Sequence, residues 1–179
     1  MPPAGPEVAG RRRLMRGATP DRVRSLIGPG ERVLAWTLDG AREPVVASTS
    51  ALYLPAPAGA APGTHERLPY EQVAAASWDD PTLEVVTVGP RRRRYELRLD
   101  DPGQVPLTVR DRVTASIVLS EHVPLVGATG ARITARRPPG SAGEVSWNVV
   151  FDQGIDPSDP RLREAADEAI TRLQATTGL

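Results

Sequence analysis

The chain has 179 residues, enough for one domain with a real core, and its 22 basic residues balance 22 acidic ones, so no overall field draws it to nucleic acid or acidic membranes. Every basic residue is arginine. The missing lysine and cysteine exclude Schiff-base and pyridoxal chemistry, a P-loop lysine, thiol catalysis, disulfides and thiolate metal sites.

The N-terminal stretch 1–17 combines glycine, proline and a basic run at Arg11, Arg12 and Arg13 with little apolar content, which predicts a disordered basic arm. It has no apolar core of the secretory kind, and no run in the chain nears the roughly 20 apolar residues of a membrane span. The expectation is a soluble, cytoplasmic protein. Thr19 as N-cap, Pro20 at the first helical position and Gly28 beyond Leu26 and Ile27 predict a short helix.

A series of strands follows. In GERVLAWTLDG, Leu34, Trp36 and Leu38 alternate with Ala35 and Thr37, the period of a half-buried strand, and Asp39-Gly40 supplies a turn. EPVVASTSALYLP reads as one long strand, with Val46, Leu52 and Leu54 on one side and Val45, Ala47 and Tyr53 on the other. After the flexible loop PAPAGAAPG, the segment HERLPYEQVAAASWDD holds two short strands separated by a kink at Pro69. TLEVVTVG and RRYELRLDD form a hairpin whose second arm sets Tyr95, Leu97 and Leu99 against Glu96 and Arg98.

Then the period changes. Thr108, with Asp111 three residues on, resembles a capping box, and Val109, Val113, Ser116, Ile117, Ser120 and Val123 fall in one helical arc that Pro124 closes. ARITARR and EVSWNVVFD predict a second hairpin. In the last segment Asp159 and Pro160 start a helix that Gly178 stops, with Leu162, Ala165, Ala166, Ala169, Ile170 and Leu173 as its apolar stripe. Strands, helix, hairpin and helix in this order give an α+β fold.

The phrases GERVLAWTLDG, VVASTSALYLP, RLPYEQVAAASWDDPTLEVV and RYELRLD, followed by an amphipathic helix, resemble bacterial PH-like domains of the GRAM type over roughly residues 30–124. The resemblance implies a twisted antiparallel barrel capped by a helix, here followed by a C-terminal β-hairpin and amphipathic helix. The organisation it suggests is a basic arm over 1–17, a PH-like domain over 18–125 and a hairpin-helix extension over 126–179 packed on the same domain. Lipid-binding relatives hold phosphoinositides with basic residues around the loop joining their first two strands. Here that loop is DGAREP, in which Arg42 is flanked by Asp39 and Glu43, so the headgroup site is not supported.

The candidate chemistry lies in Arg91, Arg92, Arg93 and Arg94. Guanidinium forks match phosphate oxygens, and Arg11, Arg12 and Arg13 could extend such a patch. On an extended segment, however, alternate residues point to opposite faces, and no aromatics interleave to stack bases. The sequence favours a solvated turn. Ser120 and His122 suggest part of a triad, but two residues apart on the expected helix they diverge. Asp79-Asp80 and Asp100-Asp101 sit beside prolines in turns, where aspartate caps local backbone, and DQGIDPSDPRLRE fails as a calcium loop because Pro157 stands where glycine is needed. Trp36, Trp78 and Trp147 fall at strand positions and read as core anchors. The expectation is therefore a non-catalytic scaffold without cofactor or metal. It would offer a groove or sheet edge to an unknown protein partner, the alternative being a peripheral binder of acidic lipid or nucleic acid through the arginines.

Overall fold

The computed structural model describes residues 19–57, 59–61, 63–89 and 91–179, and the basic arm with Arg11, Arg12 and Arg13 lies outside the described residues. A single helical turn, α1 (Asp21–Arg24), opens the described chain. Pro20 occupies its N-cap without a side-chain bond, so Thr19 does not cap it, and the helix ends before Gly28. Val23, buried, anchors this turn to the outer face of the first sheet together with Leu26 and Ile27.

Four antiparallel strands form that sheet in chain order: β1 (Val33–Leu38), β2 (Pro44–Ser48), β3 (Ala51–Pro55) and β4 (His65–Pro69). The single long strand expected over 43–55 is two strands. Ser48 Oγ accepts from the N–H groups of Ser50 and Ala51, which turns the chain within the STS triplet. The turn also resets the faces. Val45 and Ala47 now join Leu52 and Leu54 inside, while Val46 and Tyr53 face α1. In β1 the small residues Ala35 and Thr37 point to the crowded interior, and Leu34 is exposed. Trp36 packs in the outer cluster beneath α1.

A 3-10 turn at Tyr70–Gln72 leads into the second sheet, β5 (Val73–Asp79), β6 (Thr82–Thr87) and β7 (Arg94–Arg98). Tyr95, Leu97 and the following Leu99 point inward as their alternation requires. Helix α2 (Val105–Ser116) packs on β5, the 3-10 turn, β1 and β2. Its buried Val105, Val109 and Val113 complete a core with Leu52, Leu54, Leu68, Tyr70, Leu83 and Val85.

The helix is shorter than expected. Gln104 takes the cap and Pro106 the first turn, so Thr108 lies inside it, and after Ser116 the backbone becomes extended. Residues placed in the helix by their spacing, Ile117, Ser120 and Val123, belong instead to β8 (Ile117–Val126). This strand pairs with β9 (Thr129–Arg136), which pairs with β10 (Ser146–Phe151), giving a third antiparallel sheet of order β10-β9-β8. A side chain on Gly130 would put Cβ 1.9 Å from the Val123 carbonyl, so the hairpin closes only over glycine. Helix α3 (Pro160–Thr177) packs on β8.

The molecule is thus α+β with three antiparallel sheets. The sheets do not close into the barrel that the resemblance implied: sheets one and two meet through side chains and a corner bond from Gly40 N–H to the Arg98 carbonyl (2.9 Å). The tail hairpin builds its own sheet with β8.

Candidate interaction edge along β7

The arginine turn leads straight into β7. Arg91 and Arg92 are exposed and form no ion pair among the described residues. Arg93 reaches Glu66 on β4, and its guanidinium lies 5.4 Å from the centre of the Tyr95 ring. Arg94 pairs with Glu84 on the neighbouring β6 at 2.9 Å. Two of the four cations are therefore matched by carboxylates of the protein, and the quartet does not converge on one point. Glu66 also reaches the environment of Tyr95: burial, then this carboxylate, pushes the phenol up to about 12. The hydroxyl is buried and has no hydrogen-bond partner among the described residues.

A shallow, open cleft of about 380 Å³ runs beside these residues, lined by Pro55, Pro57 and the consecutive Arg93 to Leu97. The ladder decides which backbone groups of β7 point away from β6. Thr87 N–H donates to the Arg93 carbonyl and Leu99 N–H to the Pro81 carbonyl, so odd-numbered residues of β7 bond towards β6. Arg94, Glu96 and Arg98 point their N–H and C=O groups the other way. The Arg98 carbonyl is taken by Gly40. Those of Arg94 and Glu96 have no backbone partner among the described residues. The opposite wall cannot supply donors at Pro55 or Pro57, because proline has no N–H. Among the described residues, the result is a strand edge left open beside a partly apolar trough.

No family model, no curated protein and no solved structure matches this chain.

The other predicted positions do not assemble a reaction centre. Ser120 and His122 lie on a strand, where residues two apart share a face, and not on the diverging faces of a helix. The His122 ring bonds to Asp152 (Nε2 to Oδ2, 2.8 Å), not to Ser120. Asp152 also accepts from the Gly130 N–H at 2.7 Å, and these two hydrogen bonds hold its carboxyl below the usual aspartate range. This cluster ties the end of β10 to the β8–β9 hairpin. His65 is engaged by the carbonyls of Gly63 and Pro44, each at 3.0 Å. Among the described residues, no group of three or more histidines and acids could hold a metal ion. No helix of the described residues is long and apolar enough to cross a membrane.

Two polar centres carried no sequence signal. Glu31 accepts from Arg67 through Nε (2.9 Å) and Nη2 (2.8 Å), from the Tyr53 hydroxyl at 3.1 Å and from Ser48 Oγ. These four residues are scattered over 36 positions and meet only because β2, β3 and β4 are adjacent. Arg136, 5% exposed, donates to Ser116 Oγ (3.1 Å) and to the Ala74 carbonyl (3.2 Å) and has no carboxylate partner among the described residues. Burial lowers its pKa from the usual arginine value.

Proposed function

We propose that this protein is a non-catalytic, PH-like interaction module that receives an extended segment of a protein partner along β7. The observation that carries the reading is the edge: the main-chain groups of Arg94 and Glu96 point away from β6 without a backbone partner among the described residues, and both residues line the cleft with Pro55 and Pro57. Strand addition to such an edge draws affinity from main-chain hydrogen bonds and selectivity from alternate side chains. Here the selective elements are Arg91 and Arg92 at the entrance and the alternating charges of β7, which discourage indiscriminate pairing. The PH-like reading is supported by the succession of a four-stranded sheet, a three-stranded sheet and a helix packed over both.

The test is a displayed library of random extended peptides selected on the purified protein, followed by affinity measurement on variants. Glu96→Pro removes an N–H that β6 does not use, so it leaves the hairpin ladder in place and is expected to weaken a selected peptide more than tenfold. Arg91→Ser with Arg92→Ser should weaken it less. Peptide affinity indifferent to Glu96→Pro, in a variant whose circular dichroism matches wild type, refutes strand addition. The anion-binding alternative predicts another pattern: vesicles rich in acidic lipid, or DNA, would bind at low salt, release steeply as salt rises, and lose binding in the double arginine variant.

A further inference from the structure

Each of the three sheets has two edges, and the edges differ in how they resist pairing with another chain. Natural sheets blunt their edges with charges, prolines and bulges. β4 carries His65, Glu66, Arg67 and Pro69, and β7 carries Arg94, Glu96 and Arg98. β8 carries Glu121, His122 and Pro124 and has two register shifts. β1 and β5 each contain a register shift, and α2 packs on both. β10 has none of these devices. Its sequence SWNVVF is uncharged and free of proline, and its six residues pair with β9 in unbroken register.

The free side of β10 can be assigned from the ladder. Asp152 N–H donates to the Gly130 carbonyl, so even-numbered residues bond towards β9. Trp147, Val149 and Phe151 direct their N–H and C=O groups outward, and no described residue bonds to them. Their side chains share a face with Ala131, Ile133 and Ala135, their neighbours across the ladder. That face is the one under α3: Leu119 and Val123 on it are half-buried, whereas Ser120, His122 and Pro124 on the other are exposed. On the open face Val150 is 41% exposed.

We infer that β10 is a self-pairing edge, joining antiparallel to β10 of a second copy of this chain across a two-fold axis at Val149. The outward residues are centred on Val149, so every outward N–H of one copy meets an outward C=O of the other. In this register Trp147 lies directly opposite Phe151 of the other copy, a favourable aromatic cross-strand pair, and Val150 lies opposite Asn148. No charge meets a like charge. The two third sheets become one continuous sheet with both α3 helices on the same face. A second copy is the occupant that fits because the strand is complementary to itself and carries nothing to select another sequence. The inference is independent of the β7 reading, since it uses a different sheet and different residues.

The chain contains no cysteine, which makes the test direct. Val149→Cys puts one thiol of each copy beside the two-fold axis, with the two Cα atoms about 5.5 Å apart, inside the span of a disulfide. Oxidation is expected to convert most of this variant to a covalent dimer. Leu107→Cys, on the exposed outer face of α2, should remain mostly monomeric under the same treatment. In parallel, sedimentation of the full unmodified chain over a concentration series should show the mass rising from 19.2 kDa towards twice that value. Val150→Lys sets two ammonium groups diagonally across the axis and should raise the dissociation constant at least tenfold, with an unchanged circular dichroism spectrum. A chain that stays monomeric up to its solubility limit overturns the inference. So does a dimer that Val150→Lys leaves intact, or crosslinking through Cys at 149 no faster than at 107.

Discussion

Glu31 is a carboxylate whose side chain is 8% exposed, sitting under the turn that follows α1. Burial alone would raise its pKa, but hydrogen bonds from Ser48, Arg67 and Tyr53 and the charge of Arg67 together hold it below the usual glutamate value. A folded-state pKa below the unfolded one contributes stability that is present above the unfolded value and is lost as the pH falls through the folded value. The sensitive window is therefore on the acid side of the ordinary glutamate range. Glu31→Gln keeps the shape but loses the charge, and is expected to cost about 1–3 kcal/mol near neutral pH. Melting temperatures of wild type and variant, compared from neutral to acid pH, should converge as Glu31 protonates; a constant gap would mean that the carboxylate charge is not what the network stabilises. Nothing in the sequence marked this group, because Glu31, Ser48, Tyr53 and Arg67 acquire their relation from strand pairing. The arginine quartet could be read further. Its alternation predicted that the four side chains would not act together, and the ion pairs of Arg93 and Arg94 with Glu66 and Glu84 now give a second reason.

At the scale of elements, local signals fared unevenly: the caps expected at Thr19 and Thr108 are taken by Pro20 and Gln104, whereas both ends of the last helix held. α3 is the clearest survivor. Asp159 accepts from Arg161 N–H at 2.9 Å, Pro160 occupies the first turn, and Gly178 ends the helix with φ 69°. Ala166 and Ala169 of the expected stripe are buried. Asp159→Ala removes the cap and should cost about 1 kcal/mol, read as a shift of the denaturation midpoint with unchanged slope; Asp156→Ala, three residues upstream and outside the cap, is the control and should shift it less. The boundary between α2 and β8 failed for a physical reason. Val109, Val113 and Ser116 are spaced for a helix, and Ile117, Ser120 and Val123 continue the spacing by coincidence. What ends the helix is the offer of a ladder from β9, 8 residues of TGARITAR that lie further along the chain. Likewise Pro124, expected to stop a helix, sits in an edge strand, where a missing N–H is tolerated. The split of β2 from β3 was legible in principle: serine and threonine in STS are turn formers, and they outweighed the apolar residues on either side.

For the whole molecule the question is what makes three sheets one body. The first two share the α2-capped core. The third is joined at the place where α2 becomes β8, and Arg136 closes that joint. From β9 its guanidinium reaches Ser116 at the last turn of α2 and Ala74 on β5, while Ser116 Oγ donates to the Val113 carbonyl at 2.7 Å and Arg137 N–H to the Ser116 carbonyl at 2.9 Å. A buried cation without a carboxylate is a costly way to hold a seam, since its desolvation is offset only by neutral acceptors. Two substitutions separate what the charge does from what the volume does. Arg136→Ala empties the site and strands the Ala74 carbonyl, an acceptor whose unmet bond costs about 1–3 kcal/mol. Arg136→Met leaves the same carbonyl unmet but fills much of the space, so it is expected to cost less than Arg136→Ala, and the difference between the two reads the volume. If the latch couples the third sheet to the other two, Arg136→Ala should also divide the thermal transition, with hydrogen exchange of β9 and β10 becoming faster while that of β2, β3 and β6 stays slow. A single sharp transition in both variants, with exchange raised equally in all strands, would place the coupling in the continuous α2–β8 backbone instead.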